Sequence, residues 1–560
     1  MIYPANIFGS LRLAGRTLQA HQSALQTIGH NLANVGTAGY TRQRAELVSV
    51  GIQNGVDVAT IQRLRDRFAD AAVQIEEQAL GRSEAEAGLL RRLEGIVSES
   101  SGAGVGTVLD QLFEGFQDLA TAPADSTVRA TVVDTGVRLA STLTSIRSRV
   151  VQLKTDLTSE IQSQVTEVNS LLARISDMHR QIISRQSGQA PNDLLDQRDL
   201  LVSQLNEIVA VSTSDRSDGT VQIALAGTGI LLVDGVTTAP LTATLNSVTD
   251  AVDLTAGVAA TPITPRSGAL AGTTQTRNSS TGALKQAISD LDALASTLIA
   301  EVNRLHAGGA GLTGHTSLTA VNAVSSSSAA LTAAGLPTTP VTGSFRVLVH
   351  DATGAVASSL TVNVTAGATT LDDVRAALDA DPYLTASISG GRLTIGTAAG
   401  STFSFGGDTS DTLMALGINT FFTGTDANSI AVNSLVSSDL NKVAAAQADA
   451  GGLVHAGDGS NALALARLRT TLTMTGDSLS FGDFYGGLVG RVGSASRDAQ
   501  QAVDRQQAAV ELTRNLQQQA EGVSTDEELI SLTQSQQAYA AAARYVTVIQ
   551  DALDALLNMV

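Results

Sequence analysis

Several groups of residues in this 560-residue chain have types and spacings that could do chemistry. Gly102-x-Gly104-x-Gly106 has the composition of a phosphate-cradling loop. No strand pattern precedes it, no Gly-Lys-Ser/Thr follows, and no acid is placed for a ribose, so it reads as an interhelical loop. Asp193, Asp196 and Asp199 could form a general acid–base group. They stand at an expected helix start, where Asp193 and Asp196 suit the positive end of the helix dipole and Asp199 can reach solvent or an arginine. The structural reading is preferred. The seven histidines make no HExxH or other paired-ligand spacing. Gly406-Gly407-Asp408 with Asp411 is faintly of calcium-turn type but lacks the repeat such sites use, and reads as a β-turn. There is no cysteine, which excludes thiolate metal sites, cysteine nucleophiles and disulfides. It also suits work outside a reducing cytoplasm without reliance on oxidation. No catalytic, cofactor or metal site is expected, and no enzyme.

The stronger pattern lies in the elements at the two ends. Leu11, Ala14, Leu18, His21, Leu25, Ile28, Leu32 and Val35 fall in alternating steps of three and four. Leu529, Leu532, Gln536, Tyr539, Ala543, Val546, Gln550, Leu553, Leu557 and Val560 do the same. That spacing makes a narrow apolar seam, as in a coiled coil. Neither helix can bury its seam alone, so the ends are expected to meet each other or copies of themselves. His21, Gln536 and Gln550 read as polar positions that set register. The termini are also oppositely charged. Residues 1–50 carry Arg12, Arg16, Arg42 and Arg44 against Glu46, a balance of +3, whereas residues 511–560 carry seven acids against two arginines, a balance of −5.

The first helix is expected over about 10–35. Asn34 marks its end, and Gly36 and Gly39 break it. Residues 41–60 look extended, and 65–96 and 107–120 helical. A long helix follows Pro123, with the stripe Leu143, Ile146, Val150, Leu153, Leu157, Ile161, Val165, Val168, Leu172, Ile175, Met178 and Ile182. Gly188 and Pro191 stop it, and 194–209 returns as the second arm of an α-hairpin. From 211 to about 272 the period becomes two, as in Val221, Ile223 and Leu225. Residues 283–306 are helical. Residues 345–349, 360–364 and 393–395 read as strands, with a short helix over 371–378 between them. Helix returns at 461–473 and from 485 to 519. The last helix begins with Thr525 as N-cap and Glu528 at capping-box spacing. The expected fold is α+β and multidomain. A coiled-coil domain comprises 1–50 with 515–560. A mainly helical domain comprises 51–315 with 441–514 and includes a β-rich segment over 211–275. Residues 316–440 form an inserted β-rich outer domain.

Bulk properties narrow the partners. Net charge is −18 and no Lys/Arg cluster exists, so no nucleic-acid partner is expected. No apolar run approaches the roughly 18 residues of a membrane span, so no membrane partner is expected. No apolar stretch of signal-peptide type follows Arg12 and Arg16, so export, if it occurs, is expected without a cleaved signal. Aromatics are only 3 %, so the cores must rest on Leu, Val, Ile and Ala.

Asn31-x-Ala33-Asn34-x-x-Thr37-x-Gly39-Tyr40 resembles the N-terminal signature of the bacterial flagellar axial proteins, the rod, hook and hook-associated family. The chain departs from that signature at Ala38, where proline is usual, which leaves the bend less rigid. Arg42-Gln43 is more similar to the hook-associated branch than to hook protein. Asp526-Glu527-Glu528-Leu529-Ile530, Gln536-Gln537-Ala538-Tyr539 and Leu553-x-x-Leu556-Leu557-Asn558 resemble the family's C-terminal helix. Leu194-Leu195-Asp196-Gln197-Arg198-Asp199 and Leu416-Gly417-Ile418-Asn419-Thr420-Phe421-Phe422 are similar to internal stretches of that branch.

The resemblance implies a non-enzymatic structural subunit joining hook to filament. It would be exported unfolded through the flagellar type III channel, with an uncleaved N-terminal signal, to the extracellular flagellum. There it would self-assemble in a ring-like helical zone, between hook protein below and a second hook–filament junction protein above. A cytoplasmic export chaperone would cover the C-terminal helix before export. The expected subunit-interface residues are Leu11, Leu18, Leu25, Ile28, Leu32, Asn34, Gly36, Thr37, Gly39, Tyr40, Leu529, Leu532, Tyr539, Val546, Leu553 and Leu557. Two alternatives stay open: another axial protein, such as hook or distal rod, and an exported enzyme or adhesin with 316–440 as its working module.

Overall fold

The computed structural model describes residues 5–50, 55–98, 104–185 and 191–558. Among the sequence expectations, Gly102, the Gly188 stop, the first residues of the N-terminal stretch and the last seam residue, Val560, lie outside the described residues. The helices in the first part of the chain are α1 (Ala5–Ala33), α2 (Arg67–Val97), α3 (Val105–Thr121), α4 (Ser126–Arg185), α5 (Asn192–Ile208), α6 (Ala269–Asn278) and α7 (Ala283–Ala307). They are followed by α8 (Leu371–Asp379), α9 (Thr412–Leu416), α10 (Ser434–Ser438), α11 (Ser460–Arg467), α12 (Phe481–Glu521) and α13 (Thr525–Leu557). The chain forms two compact units. One comprises Met1–Leu90, Thr155–Ser279 and Ser496–Val560; the other comprises Arg91–Lys154 and Ser280–Ala495.

In the first unit, α1 and α13 pair antiparallel, with the end of α1 beside the start of α13. A hairpin of β1 (Gln43–Ser49) and β2 (Val56–Arg63) packs on α1, with a bulge between Glu46 and Leu47. The N-terminal part of α2 lies beside the C-terminal part of α12, held by Gln517 to Asp70, Arg514 to Glu77 and Gln506 to Glu76. The backbones of α2 and α5 approach so closely that a Cβ on Gly81 would stand 2.4 Å from the Glu207 carbonyl, which only glycine avoids.

The hydrophobic core of this unit sits where the 3.6-residue stripe of α4 meets small sheets. Ile161, Val165, Val168, Leu172 and Ile175 are buried together with Leu201, Val202 and Leu205 of α5. Against them lie β3 (Val211–Asp215), β4 (Val221–Leu225), β5 (Leu231–Asp234) and β6 (Thr237–Thr238) in one antiparallel sheet. A second antiparallel sheet contains β7 (Leu241–Leu245), β8 (Val252–Ala256) and β9 (Thr261–Ile263). The alternation of β4 is realised, with Val221, Ile223 and Leu225 inside. Each such buried aliphatic side chain contributes about 2 kcal/mol.

In the second unit, α3 buries Leu112, Phe113, Phe116 and Leu119, and α7 buries Leu284, Leu291, Leu294, Leu298 and Val302. Phe113 stacks on Phe481, and Phe116 meets Phe421 edge-on. The β-rich region holds β10 (Ser317–Thr319), β11 (Gly343–His350), β12 (Val356–Val364), β13 (Leu384–Ser389), β14 (Arg392–Thr397), β15 (Thr402–Asp408), β16 (Phe422–Thr423) and β17 (Ala431–Val432). Its three-stranded sheets have the orders β12-β11-β15 and β10-β14-β13 and enclose one core with α8. Thr370 and Asp373 make a capping box at the start of α8.

Four local expectations change. The helix expected over 461–473 ends at Arg467, and Gly406-Gly407-Asp408, expected as a β-turn, is instead the bulged end of β15. The residue preceding α13 is Ser524, whose carbonyl accepts from the Glu528 N–H at 2.9 Å, so Thr525 is already helical. Glu528 does not turn back as a capping box, because its carboxylate is engaged by Asn31 and Arg42. Of the two glycines after α1, Gly39 has the left-handed backbone, with φ of +77°. A Cβ there would also stand 3.3 Å from Leu200 Cβ, whereas Gly36 has open space around it.

Candidate assembly interface

The chain after α1 turns back on itself through Thr37 N–H to Asn34 O and Tyr40 N–H to Thr37 O. That turn delivers the Asn31–Gln43 signature into a knot of buried polar groups. Asn31 is 1 % exposed, yet all its side-chain capacity is used. Its Oδ1 accepts from the Tyr40 hydroxyl at 2.7 Å and from the Gln43 N–H at 3.0 Å. Its Nδ2 donates to the Gln43 carbonyl at 2.8 Å and to Glu528 at 3.0 Å. Asn31 thus serves the edge of β1 as a strand partner would, while reaching across to α13.

Arg42 completes the link between the chain ends. Its Nε donates to Glu528 at 2.7 Å and a terminal nitrogen to Glu527 at 2.7 Å, while its backbone N–H donates to the Glu521 carbonyl. Glu528 is buried, so this is a charge-assisted contact in low dielectric. The Tyr40 hydroxyl titrates above its ordinary range, because of burial first and then of Asp196, Asp193 and Glu528. It therefore stays a neutral donor.

The three aspartates of α5 meet the same knot from the other side. Asp193 accepts from the Gln43 side chain at 3.3 Å, and Asp196 from the Thr41 N–H at 3.2 Å. Arg63 bridges Asp196 and Asp199 at 2.8 Å each, and Arg65 and Arg198 also reach Asp199. Burial raises the Asp199 carboxyl, but Arg198, Arg65 and Arg63 outweigh it and hold the group below the usual range. Burial dominates at Asp196, which sits above its usual range. The arrangement is an ion-paired brace between α5 and the β1–β2 hairpin. Among the described residues no group of three or more His, Cys, Asp or Glu could hold a metal ion.

The expected interface residues fall into distinct environments. Ile28 is buried, Leu11, Leu18, Leu25 and Leu32 are half-buried, and the fully covered face of α1 is built from Ala14, Ala20, Ala24, Thr27 and Asn31. Asn34 and Tyr40 are half-buried; Gly36, Thr37 and Gly39 are exposed. On α13, Leu532, Val546 and Leu553 are half-buried beside the covered Glu528 and Ile549. Leu529, Tyr539 and Leu557 face out, as do Ile530, Tyr545 and Val548. His21 is half-buried and Gln536 and Gln550 are exposed. Sequence reasoning passed over Glu528, Arg63 and Glu521 as members of the knot. One signal was available: Glu528 lies four residues before Leu532, a spacing that puts it on the covered face.

Family models match two stretches of the chain. Residues 11–41, which include most of α1 and the turn, match the family model described as "Flagella basal body rod protein". Residues 90–319 match "Flagellar hook-associated protein FlgK helical domain". Flagellar hook-associated protein 1 of Salmonella typhimurium is 28% identical over 579 residues, covering 97% of this chain and 98% of that protein. Along nearly its whole length the chain is similar to the flagellar hook-associated protein 1 family. The family member of Escherichia coli K12 is 27% identical, again over 97% of this chain and 98% of that protein. The member from Bacillus subtilis 168 is 31% identical over 238 residues, which span 40% of this chain and 47% of that protein. In fold, the chain is similar to the solved flagellar hook junction protein FlgK from Burkholderia pseudomallei. That similarity has a TM-score of 0.53 at 20% identity and covers 81% of this chain and 100% of that one. Among the described residues no helix is long and apolar enough to cross a membrane.

Proposed function

We propose that this protein is a structural subunit of the bacterial flagellum, placed at the hook–filament junction and polymerised through its chain ends. One observation carries the reading. The α1–α13 pair is clamped at its base by Asn31, Arg42 and Glu528, yet it buries only one narrow face of each helix. Leu529, Ile530, Tyr545 and Val548 remain on the outside of α13. A clamped two-helix layer with apolar groups on its outer side is a wall element awaiting neighbours.

Residues 1–50 with 515–560 form the tube-lining part in this reading, 51–315 with 441–514 the surrounding helical part, and 316–440 the outer domain. The subunit-interface residues are those of the seams and the Asn34–Tyr40 turn. Hook protein and a second junction protein are the axial neighbours. A cytoplasmic chaperone covers α13 before export, and the chain reaches the extracellular flagellum by type III export without cleavage. The opposite charges of the two ends fix register and partner choice more than they add affinity.

Deleting 529–560 tests this. Cells making only the truncated chain should carry hooks without filaments and lose flagellin to the medium. Normal filaments on such cells would contradict the proposal.

A further inference from the structure

The pair formed by α2 and α12 carries apolar side chains on both of its outward faces. On α2, Phe68 and Ile75 are 89% and 61% exposed, with the exposed Ala71 between them. On α12, Leu512 and Leu516 are 63% and 54% exposed, preceded by the exposed Ala508. Each set lies on the side of its helix away from the residues that join the pair, which are Asp70 and Glu77 on α2 and Arg514 and Gln517 on α12. Spacings of three and four on α2, and of four and four on α12, make each set a continuous stripe along its helix.

The two stripes also overlap in height. The helices run antiparallel, and Gln517 meets Asp70 while Gln506 meets Glu76, so the Phe68–Ile75 stretch of α2 lies at the height of the stretch of α12 that contains Ala508, Leu512 and Leu516. The stripes are of similar length, about 10–12 Å at 1.5 Å per residue.

From this geometry we infer that the Phe68–Ala71–Ile75 stripe of one copy packs on the Ala508–Leu512–Leu516 stripe of the next. The occupant is a second copy of this chain in the same orientation, displaced sideways, and the inference rests on the assembly proposed above. Copies ordered around an axis all point the same way, so their contact joins two different faces, and repetition gives a ring or helix. Stripes that overlap in height on opposite faces are what a sideways displacement requires. Each face offers only a few large side chains, well under the roughly 800 Å² per partner of a stable interface. The contact therefore forms in the assembly, where the chain ends hold neighbours together, and the free chain does not dimerise through it.

The chain contains no cysteine, so introduced pairs report without background. The double variant Ile75→Cys/Leu512→Cys should replace the native chain in cells, and isolated flagella should be treated with a short bismaleimide. The contact predicts a ladder of dimers, trimers and larger species, and none from either single variant. A double variant present in flagella but remaining monomeric would overturn the contact while leaving the proposed function intact. Strong dimers from Ile75→Cys alone would overturn it in favour of a two-fold interface. Location of the native chain outside the flagellum would overturn the function and the contact together. As a second readout, a benzophenone amino acid at position 75 should form adducts within 508–516 of another copy. Adducts confined to other segments would also overturn it.

Discussion

Asn31 and Glu528 stand 497 positions apart in the chain and 3.0 Å apart in the fold. Losing the Glu528 carboxylate leaves Asn31 Nδ2 and Arg42 Nε without their partner, a cost of about 2 kcal/mol for a bond to a charged group. Glu528→Ala should therefore speed hydrogen exchange of the α1 and α13 amides about 30-fold, while Glu528→Gln, which can still accept from Asn31, should cost less. Mass-spectrometric exchange on the full chain measures both. Glu521, at the end of α12, behaves differently. Burial pushes its carboxyl up to about 7; the Asp66 N–H offsets this in part, Asp70 adds to it, and Arg65 opposes it. A carboxyl raised on folding stabilises most below its unfolded value near 4.5. That contribution disappears as pH rises through about 7. Protection of amides 515–521, corrected for intrinsic exchange, should fall between pH 5 and 8, and Glu521→Gln should flatten that fall. At this scale the sequence was only half legible. The residue types Asn31, Tyr40, Arg42 and Gln43 stood out as a motif, but nothing local pairs them with Glu528. The capping-box spacing pointed that carboxylate back into its own helix, and a tertiary partner prevailed.

At the scale of elements, periodicity carried most of the information. The stripe of α4 is buried from Leu143 to Ile182 almost without interruption, and the alternation of Val221, Ile223 and Leu225 gave β4. Residues 345–349, 360–364 and 393–395 lie within β11, β12 and β14. Elements whose side chains are covered on both faces were harder to see. β15, with Phe403, Ser404, Phe405 and Gly406 all buried, has no two-residue rhythm to read. The α1 seam shows a further limit. Its most covered positions are the small residues Ala14, Ala20 and Ala24, which hydrophobicity ranks below the neighbouring leucines, although they permit the closest approach. A second joint between elements is Arg129 of α4, which is 1 % exposed. It donates to the Pro123 carbonyl at 2.8 Å, to Leu440 at 3.1 Å and to Val443 at 2.8 Å. Burial lowers its guanidinium to about 10, with Asp439 opposing. Arg129→Met fills similar space but leaves three carbonyls without that donor, so it should cost about 3 kcal/mol of stability. Urea denaturation of the full chain measures this, and a loss below about 0.5 kcal/mol would mean that water replaces the guanidinium.

For the whole molecule, the chain ends govern the account. The N- and C-terminal helices share one clamp, and the acids and arginines that brace α5 to the β1–β2 hairpin surround it. The proposed assembly uses what the clamp leaves uncovered: one side of α13 at the ends, and the outward stripes of α2 and α12. The central claim is that these surfaces build a short structural zone between hook and filament. The most direct test is gold labelling of an epitope inserted in an exposed turn of 316–440, read by electron microscopy of intact flagella. The account predicts label confined to a narrow band at the hook–filament boundary. Label spread along the hook or the rod, or absent from the flagellum, would contradict it.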